Sequence, residues 1–244
     1  LWVDPSIQWN WKVSALSSFS ADVGYTNSPL TGKSIYDTPI FTTYRTQKIN
    51  QGKTAVTHDL RATATYKYAN PVWGVFLNVS PMYARTSGNI LYENVLNDRI
   101  FTIVATDKKR ATETTGLSGH ISKTFGWAKT LLGLGASFTT TDYCMLVTGK
   151  VNVARMTVTS VALNFSLRPT RLLSVEGRSS VSFNQQKNQT APQLSSGSTN
   201  DWEHRLNIHV FPANGWMLSI NNQLFHTNSE GIGTSFFSRP RHEL

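Results

Sequence analysis

Residues 202–226, WEHRLNIHVFPANGWMLSINNQLFH, constrain the fold more than any other stretch of this chain. Leu206, Ile208 and Val210 fall on one side of an extended backbone, and Arg205, Asn207 and His209 on the other. That period of two is the spacing of a strand with one apolar face. Pro212-Ala213-Asn214-Gly215 then supplies a turn, with proline presetting φ and Asn-Gly suited to positive φ. The alternation resumes with Trp216, Leu218 and Ile220 against Met217, Ser219, Asn221 and Gln223. A single hairpin of this kind is marginal in water, so the architecture depends on whether the unit recurs.

It recurs four times upstream. Ile7, Trp9 and Trp11 lead into a turn near residues 12–15, and Phe19, Ala21, Val23 and Tyr25 lead out. Leu60, Ala62, Ala64, Tyr66 and Tyr68 precede Asn70-Pro71, and Trp73, Val75, Leu77 and Val79 follow it. Leu117, Ile121 and Phe125 precede Gly126-Trp127-Ala128-Lys129, and Leu132, Leu134, Ala136 and Phe138 follow. Val161, Leu163, Phe165 and Leu167 precede Arg168-Pro169-Thr170-Arg171, and Leu173, Val175, Val181 and Phe183 return. The pattern predicts about ten strands of roughly ten residues. Five tight turns alternate with longer polar connections over 26–57, 86–115, 140–156 and 184–200.

Short turns at one end and long connections at the other are the signature of an antiparallel transmembrane β-barrel, whose strands need about 9–11 residues to cross a bilayer. A sandwich or propeller gives no reason for that asymmetry. Because open edges cannot face hydrocarbon, such a sheet must close. Charged residues make up only 15% of the chain, below the roughly 25% of soluble domains. The mean hydropathy of -0.26 does not count against a barrel, because lipid-facing and interior residues alternate and cancel. Trp11, Tyr68, Trp73, Trp127 and Trp216 sit at or beside the short turns, where an interfacial aromatic girdle is expected. The whole of 1–244 reads as one barrel segment without a separate plug or soluble domain. The chain opens on Leu1 rather than Met, so an upstream segment is expected to have preceded it.

The run from Arg205 through Phe211-Pro212 to Trp216, together with Ile40-Phe41-Thr42-Thr43-Tyr44-Arg45, resembles segments of Bacteroidetes outer-membrane barrels of the TonB-dependent-receptor-like class. The resemblance implies an outer-membrane location in a Gram-negative bacterium and a role in nutrient transport or as a barrel subunit of an outer-membrane complex. It implies contact with outer-membrane lipid and lipopolysaccharide, and with other outer-membrane or surface lipoprotein subunits. The family's plug and TonB-contacting box have no counterpart in these residues. The family's barrels have about 22 strands, so the chain reads as the C-terminal part of a larger barrel.

Arg61, Lys67, Glu176, Arg178 and Arg205 fall on the polar faces of their strands. They are candidates to line a lumen and meet an anionic solute; the simpler reading is pairing among themselves and with water. His204 and His209 are an odd number of positions apart, so a strand sends them to opposite faces and they cannot share a metal. His58-Asp59 has no nucleophile in fixed relation to it, and Asp107-Lys108-Lys109-Arg110 reads as a solvated turn. No catalytic residue, metal site or cofactor is assigned, and the single Cys144 excludes an internal disulfide. The net charge of +9 lacks the clustered basic stripe of a nucleic-acid surface and suits lipid A phosphates instead. The rival readings are a barrel serving only as scaffold or assembly partner, a secreted soluble β-rich adhesin, and a barrel-embedded enzyme.

Overall fold

The computed structural model describes residues 3–29, 38–49, 56–97, 100–147, 149–189, 197–213, 215–230 and 233–243. Asn214 of the last tight turn lies outside them. The chain is all-β and arranged as one sheet. Its main path runs β1 (Ser6–Lys12), β2 (Ser17–Pro29), β5 (Val56–Asn70), β6 (Val75–Gly88), β9 (Arg110–Phe125), β10 (Thr130–Val147), β11 (Lys150–Thr170), β12 (Leu173–Asn188), β13 (Gly197–Val210), β14 (Leu218–Ser229) and β15 (Gly233–Glu243). Every pairing along this path is antiparallel. Four short strands lie off it, namely β3 (Ile40–Thr43), β4 (Thr46–Ile49), β7 (Leu91–Asn97) and β8 (Ile100–Thr106).

The strand count corrects the expectation of about ten. Residues 140–156 are not a connection: β10 and β11 run through them, with register held from Leu131↔Ser166 to Val147↔Lys150. The polar stretches 26–57 and 86–115 likewise contain strand, including the hairpins β3–β4 and β7–β8. Residues 184–200 are narrowed to 189–196 by the ends of β12 and β13. Gly233–Glu243 add a further strand, β15, paired with β14. Threonine explains much of this. Thr139, Thr140, Thr141, Thr157 and Thr159 are β-branched and favour extended backbone, yet they carry no apolar alternation.

The hairpins β3–β4 and β7–β8 extend the sheet at the end away from the short turns. β4 pairs with β8 and β7 touches β10 at Leu146↔Glu93, both in parallel. Among the described residues the buried hydrophobic side chains are Ile90, Leu91, Ala105, Leu146 and Ala154, and all lie at this loop end. Tyr92 packs against Ile90 and Ala105, and the Lys48 ammonium sits 4.4 Å from the Tyr92 ring centroid. The turn formed by Asp107, Lys108 and Lys109 is tied in as well. Lys108 Nζ donates to the Gly149 carbonyl, and the Gly149 N–H donates to Glu93 Oε1 at 2.7 Å.

The long strands show the opposite character. Leu117, Ile121, Leu132, Leu134, Phe138, Val161, Leu163 and Leu206 are all exposed. A sheet of this size in water buries one apolar face; this one buries neither.

Candidate functional site: the two faces of the wall

Register assigns each side chain of the long strands to a face, because directly paired residues point the same way. One face carries Trp11, Phe19, Tyr66, Val79, Gly119, Ala136, Val161 and Val181 in one row of paired positions. The row beside it, nearer the short turns, carries Leu77, Ile121, Leu134, Leu163 and Ser179. Phe165 lies across Gly177 on this face; a Cβ on Gly177 would fall 2.1 Å from the ring.

The apolar face is bounded at both ends. At the short turns stand Trp73, Trp127 and Trp216, exposed to 72%, 77% and 73%. The Trp73 N–H donates to Asn70 Oδ1 at 3.1 Å and the Trp216 N–H to the Ala213 carbonyl at 3.1 Å, so both residues are held by their turns. Trp127 lies in a single 3-10 turn, Trp127–Lys129. Trp11 stacks on Trp9 with centroids 6.1 Å apart, and Tyr68 pairs with Ser17 beside the first turn.

At the other end a row of charges crosses five strands at one level. Arg85 pairs with Glu113, Glu113 with Asp142, Asp142 with Arg155, and Arg155 with Lys187. The Arg85–Glu113 ion pair measures 3.3 Å. Arg155 is bidentate on Asp142, with Nε to Oδ1 at 2.6 Å and Nη2 to Oδ2 at 2.7 Å. On β10 the side chains facing this way between the two limits are Leu132, Leu134, Ala136, Phe138 and Thr140. On β6 they are Val75, Leu77, Val79, Pro81 and Tyr83. Both runs span about nine residues, roughly 30 Å along a strand and roughly 23 Å in height at the usual barrel tilt of about 40°.

The Arg155 guanidinium, through its hydrogen bonds, holds the Asp142 carboxyl below its ordinary value. A carboxyl depressed in the folded state contributes stability above its unfolded value near 3.9, and that contribution is lost as pH falls through the folded value. Asp142→Asn is therefore expected to flatten the pH dependence of stability below about pH 4. At higher pH the loss should be small, because the pair is solvent-exposed. Acid titration of folded protein in detergent micelles, comparing the two chains, measures this.

The opposite face is small and polar. Its hydroxyls pair across strands: Ser137 with Ser160 at 2.7 Å, Thr65 with Ser80 at 3.1 Å, and Thr114 with Thr141 at 3.1 Å. All five residues expected on polar faces lie here. Glu176, Arg178 and Arg205 come together on β12 and β13, with Arg178 directly opposite Arg205 and Glu176 opposite Asn207. With Asn164 and Ser166 they line a cleft of about 300 Å³. Arg61 and Lys67 are not part of it. They stand on β5, with β6, β9, β10 and β11 intervening, opposite Gly24 and Ser18 of β2. A larger recess of about 610 Å³ beside Lys67 curls around the β1–β2 turn.

Two members of the cluster escape a reading of the sequence. Glu203 accepts from Arg205 and, at 2.7 Å, from Gln223 Nε2. Glu203 shares the parity of Arg205, a signal present in the sequence; Gln223 needs the β13–β14 register, which pairs it with Arg205. The charged row is likewise invisible without register. Arg178, facing the like charge of Arg205, makes no ion pair among the described residues.

The histidines divide as strand parity requires. His204 tilts against Trp202 on the apolar face, with centroids 6.5 Å apart; His209 bonds Ser219 Oγ at 2.9 Å on the polar face. His58 lies against Tyr25 and Asn27, and its neighbour Asp59 points to the other face, so they form no dyad. Among the described residues no group of three metal-ligating side chains converges.

No protein-family profile matches the chain, and no curated protein matches it. Among solved structures it is similar to the beta domain of the Bordetella autotransporter BrkA, at 12% identity and a TM-score of 0.41, with 99% of this chain and 89% of that one covered.

Proposed function

We propose that this chain is wall: a segment of a transmembrane β-barrel in the outer membrane of a Gram-negative bacterium. The observation that carries the reading is the exposed apolar band, about nine residues tall, lying between turn-end tryptophans and a row of ion pairs. A band of that height matches the hydrocarbon thickness that outer-membrane barrels cross. The polar face then lines the interior, and the β3–β4 and β7–β8 hairpins stand beyond the bilayer. Lipid and lipopolysaccharide are the partners of the outward face. The row Arg85, Glu113, Asp142, Arg155 and Lys187 lies at headgroup level, where Arg and Lys can meet phosphate.

The finer part of the proposal is passage of a small anionic nutrient along the interior, the TonB-dependent-receptor-like role that the sequence resemblance implies. What supports it is Arg178, without an ion pair among the described residues, beside Arg205 in the cleft between β12 and β13. No residue is assigned to catalysis.

Two measurements test the parts separately. The full-length protein should require detergent for extraction and show heat-modifiable gel mobility; release into aqueous buffer would sink the membrane reading. In the folded barrel, Arg178→Glu combined with Arg205→Glu should move ion selectivity toward cations and lower uptake of anionic solutes. Unchanged selectivity and uptake would leave the chain as a scaffold rather than a path.

A further inference from the structure

Strand parity keeps His204 and His209 from sharing an ion, but register gives His204 a different neighbour. β13 and β14 pair with Trp202 opposite His226 and His204 opposite Leu224. Trp202 and His204 stand two apart on one strand, and Leu224 and His226 two apart on the next. All four side chains therefore share one face, on adjacent rungs. His204 and His226 are diagonal neighbours, a relation with a Cα spacing of about 7–8 Å and Cβ atoms somewhat closer. Both imidazoles line one recess of about 390 Å³, together with Trp202, Leu224 and Phe225.

The ring nitrogens of both residues are without a partner. His209 bonds Ser219 and His58 bonds Asn27, whereas His204 and His226 make no hydrogen bond or ion pair among the described residues. The contact His204 does make is through its ring, tilted against Trp202 with centroids 6.5 Å apart. His204 is exposed and His226 half-buried. On the loop side, the next rung of this face is Asn200 opposite Asn228. The recess thus lies where the apolar face gives way to amide groups, within reach of water.

We infer that His204 and His226 together bind a first-row divalent transition ion of the Cu²⁺ or Zn²⁺ type. Each contributes one imidazole nitrogen, and water fills the remaining positions. Imidazole suits these ions, and a metal–nitrogen distance of about 2.0–2.1 Å lets two diagonal side chains meet at one centre. Mg²⁺ and Ca²⁺ need oxygen ligands, and the neighbouring carboxylate, Glu203, points to the other face, where it holds Arg205. The bound ion bridges β13 and β14. The inference stands apart from the membrane reading, because it needs only the strand register and the exposure of this face.

Electron paramagnetic resonance of the tag-free, full-length protein, folded in detergent and loaded with sub-stoichiometric Cu²⁺, tests it. The spectrum should show two coordinating imidazole nitrogens and should persist in excess Mg²⁺. His204→Ala and His226→Ala should each abolish the two-nitrogen signature, and His209→Ala, on the polar face, should keep it. Leu224→His puts a third imidazole directly opposite His204, and should add a third nitrogen and tighten Cu²⁺ binding, a gain that loss of fold cannot supply. Fewer than two nitrogens in the wild-type spectrum, a two-nitrogen signal that survives either alanine substitution or vanishes in His209→Ala, or no tightening by Leu224→His, overturns the inference.

Discussion

Leu163→Arg is expected to cost about 2–4 kcal/mol of folding free energy in a bilayer, the range for a cation at the midplane of a barrel's lipid face. Leu163 stands midway up the band, opposite Leu134 of β10 and Ser179 of β12, and is 49% exposed. By ordinary rules an exposed strand position away from any ion pair tolerates substitution within about 0.5 kcal/mol. The two expectations are far apart, which gives the variant its value. Ala162→Arg is the companion: one residue back, it sends the same charge to the polar face, opposite Gly135 and Ser180, where little loss is expected. Refolding into lipid vesicles across a urea gradient, read by heat-modifiable mobility, measures both. Equal tolerance at 162 and 163 would mean that neither face meets hydrocarbon, and would remove the basis for reading the sheet as a membrane wall.

Gly74→Ala is expected to cost about 2–3 kcal/mol, from a different cause. Gly74 closes the β5–β6 turn at φ +63, and a Cβ there would lie 2.6 Å from the Thr124 carbonyl oxygen of β9. The obstacle is backbone, and that backbone is fixed: the Thr124 N–H donates to the Gly74 carbonyl at 2.7 Å. Relief requires β9 to move away from β6. Gly126→Ala, in the next short turn, is the control. Gly126 sits at φ -65, and an alanine methyl there would meet nothing within 4 Å, so the substitution should be neutral or slightly stabilising through the unfolded chain. Thermal or urea unfolding of the pair separates a steric effect at Gly74 from a general intolerance of the turns.

The spanning part of the wall is legible in the sequence because apolar alternation is a strong local signal. Leu132, Leu134, Ala136 and Phe138 declare β10, and Leu60 to Tyr68 declare β5. The signal stops at the charged row. Beyond Thr140 the chain keeps its strand geometry through Asp142, Tyr143 and Cys144, but polar side chains on both faces leave no period to detect, and the stretch reads as a loop. For the same reason β3, β4, β7 and β8 are hidden in the sequence; their order is set by pairings such as Thr46↔Phe101 and Leu146↔Glu93, which join distant parts of the chain. The candidate cleft is half legible. Parity places Glu176, Arg178 and Arg205 on polar faces, but only register shows that β12 and β13 bring these three together while Arg61 and Lys67 stand apart.

The placement of the buried side chains has a consequence for the order of events during biogenesis. Ile90, Leu91, Ala105, Leu146 and Ala154 all lie beyond the charged row, and between that row and the short turns no large hydrophobic side chain among the described residues is buried. If the sheet is the membrane wall proposed above, these strands have nothing to collapse around before insertion, since their apolar groups would become shielded only by lipid. The small cluster at the loop end is the part with a core able to form earlier. On that reading the nascent chain would be kept from settling early into a compact dead end, with its long strands available to the membrane and the outermost hairpins bringing their own packing.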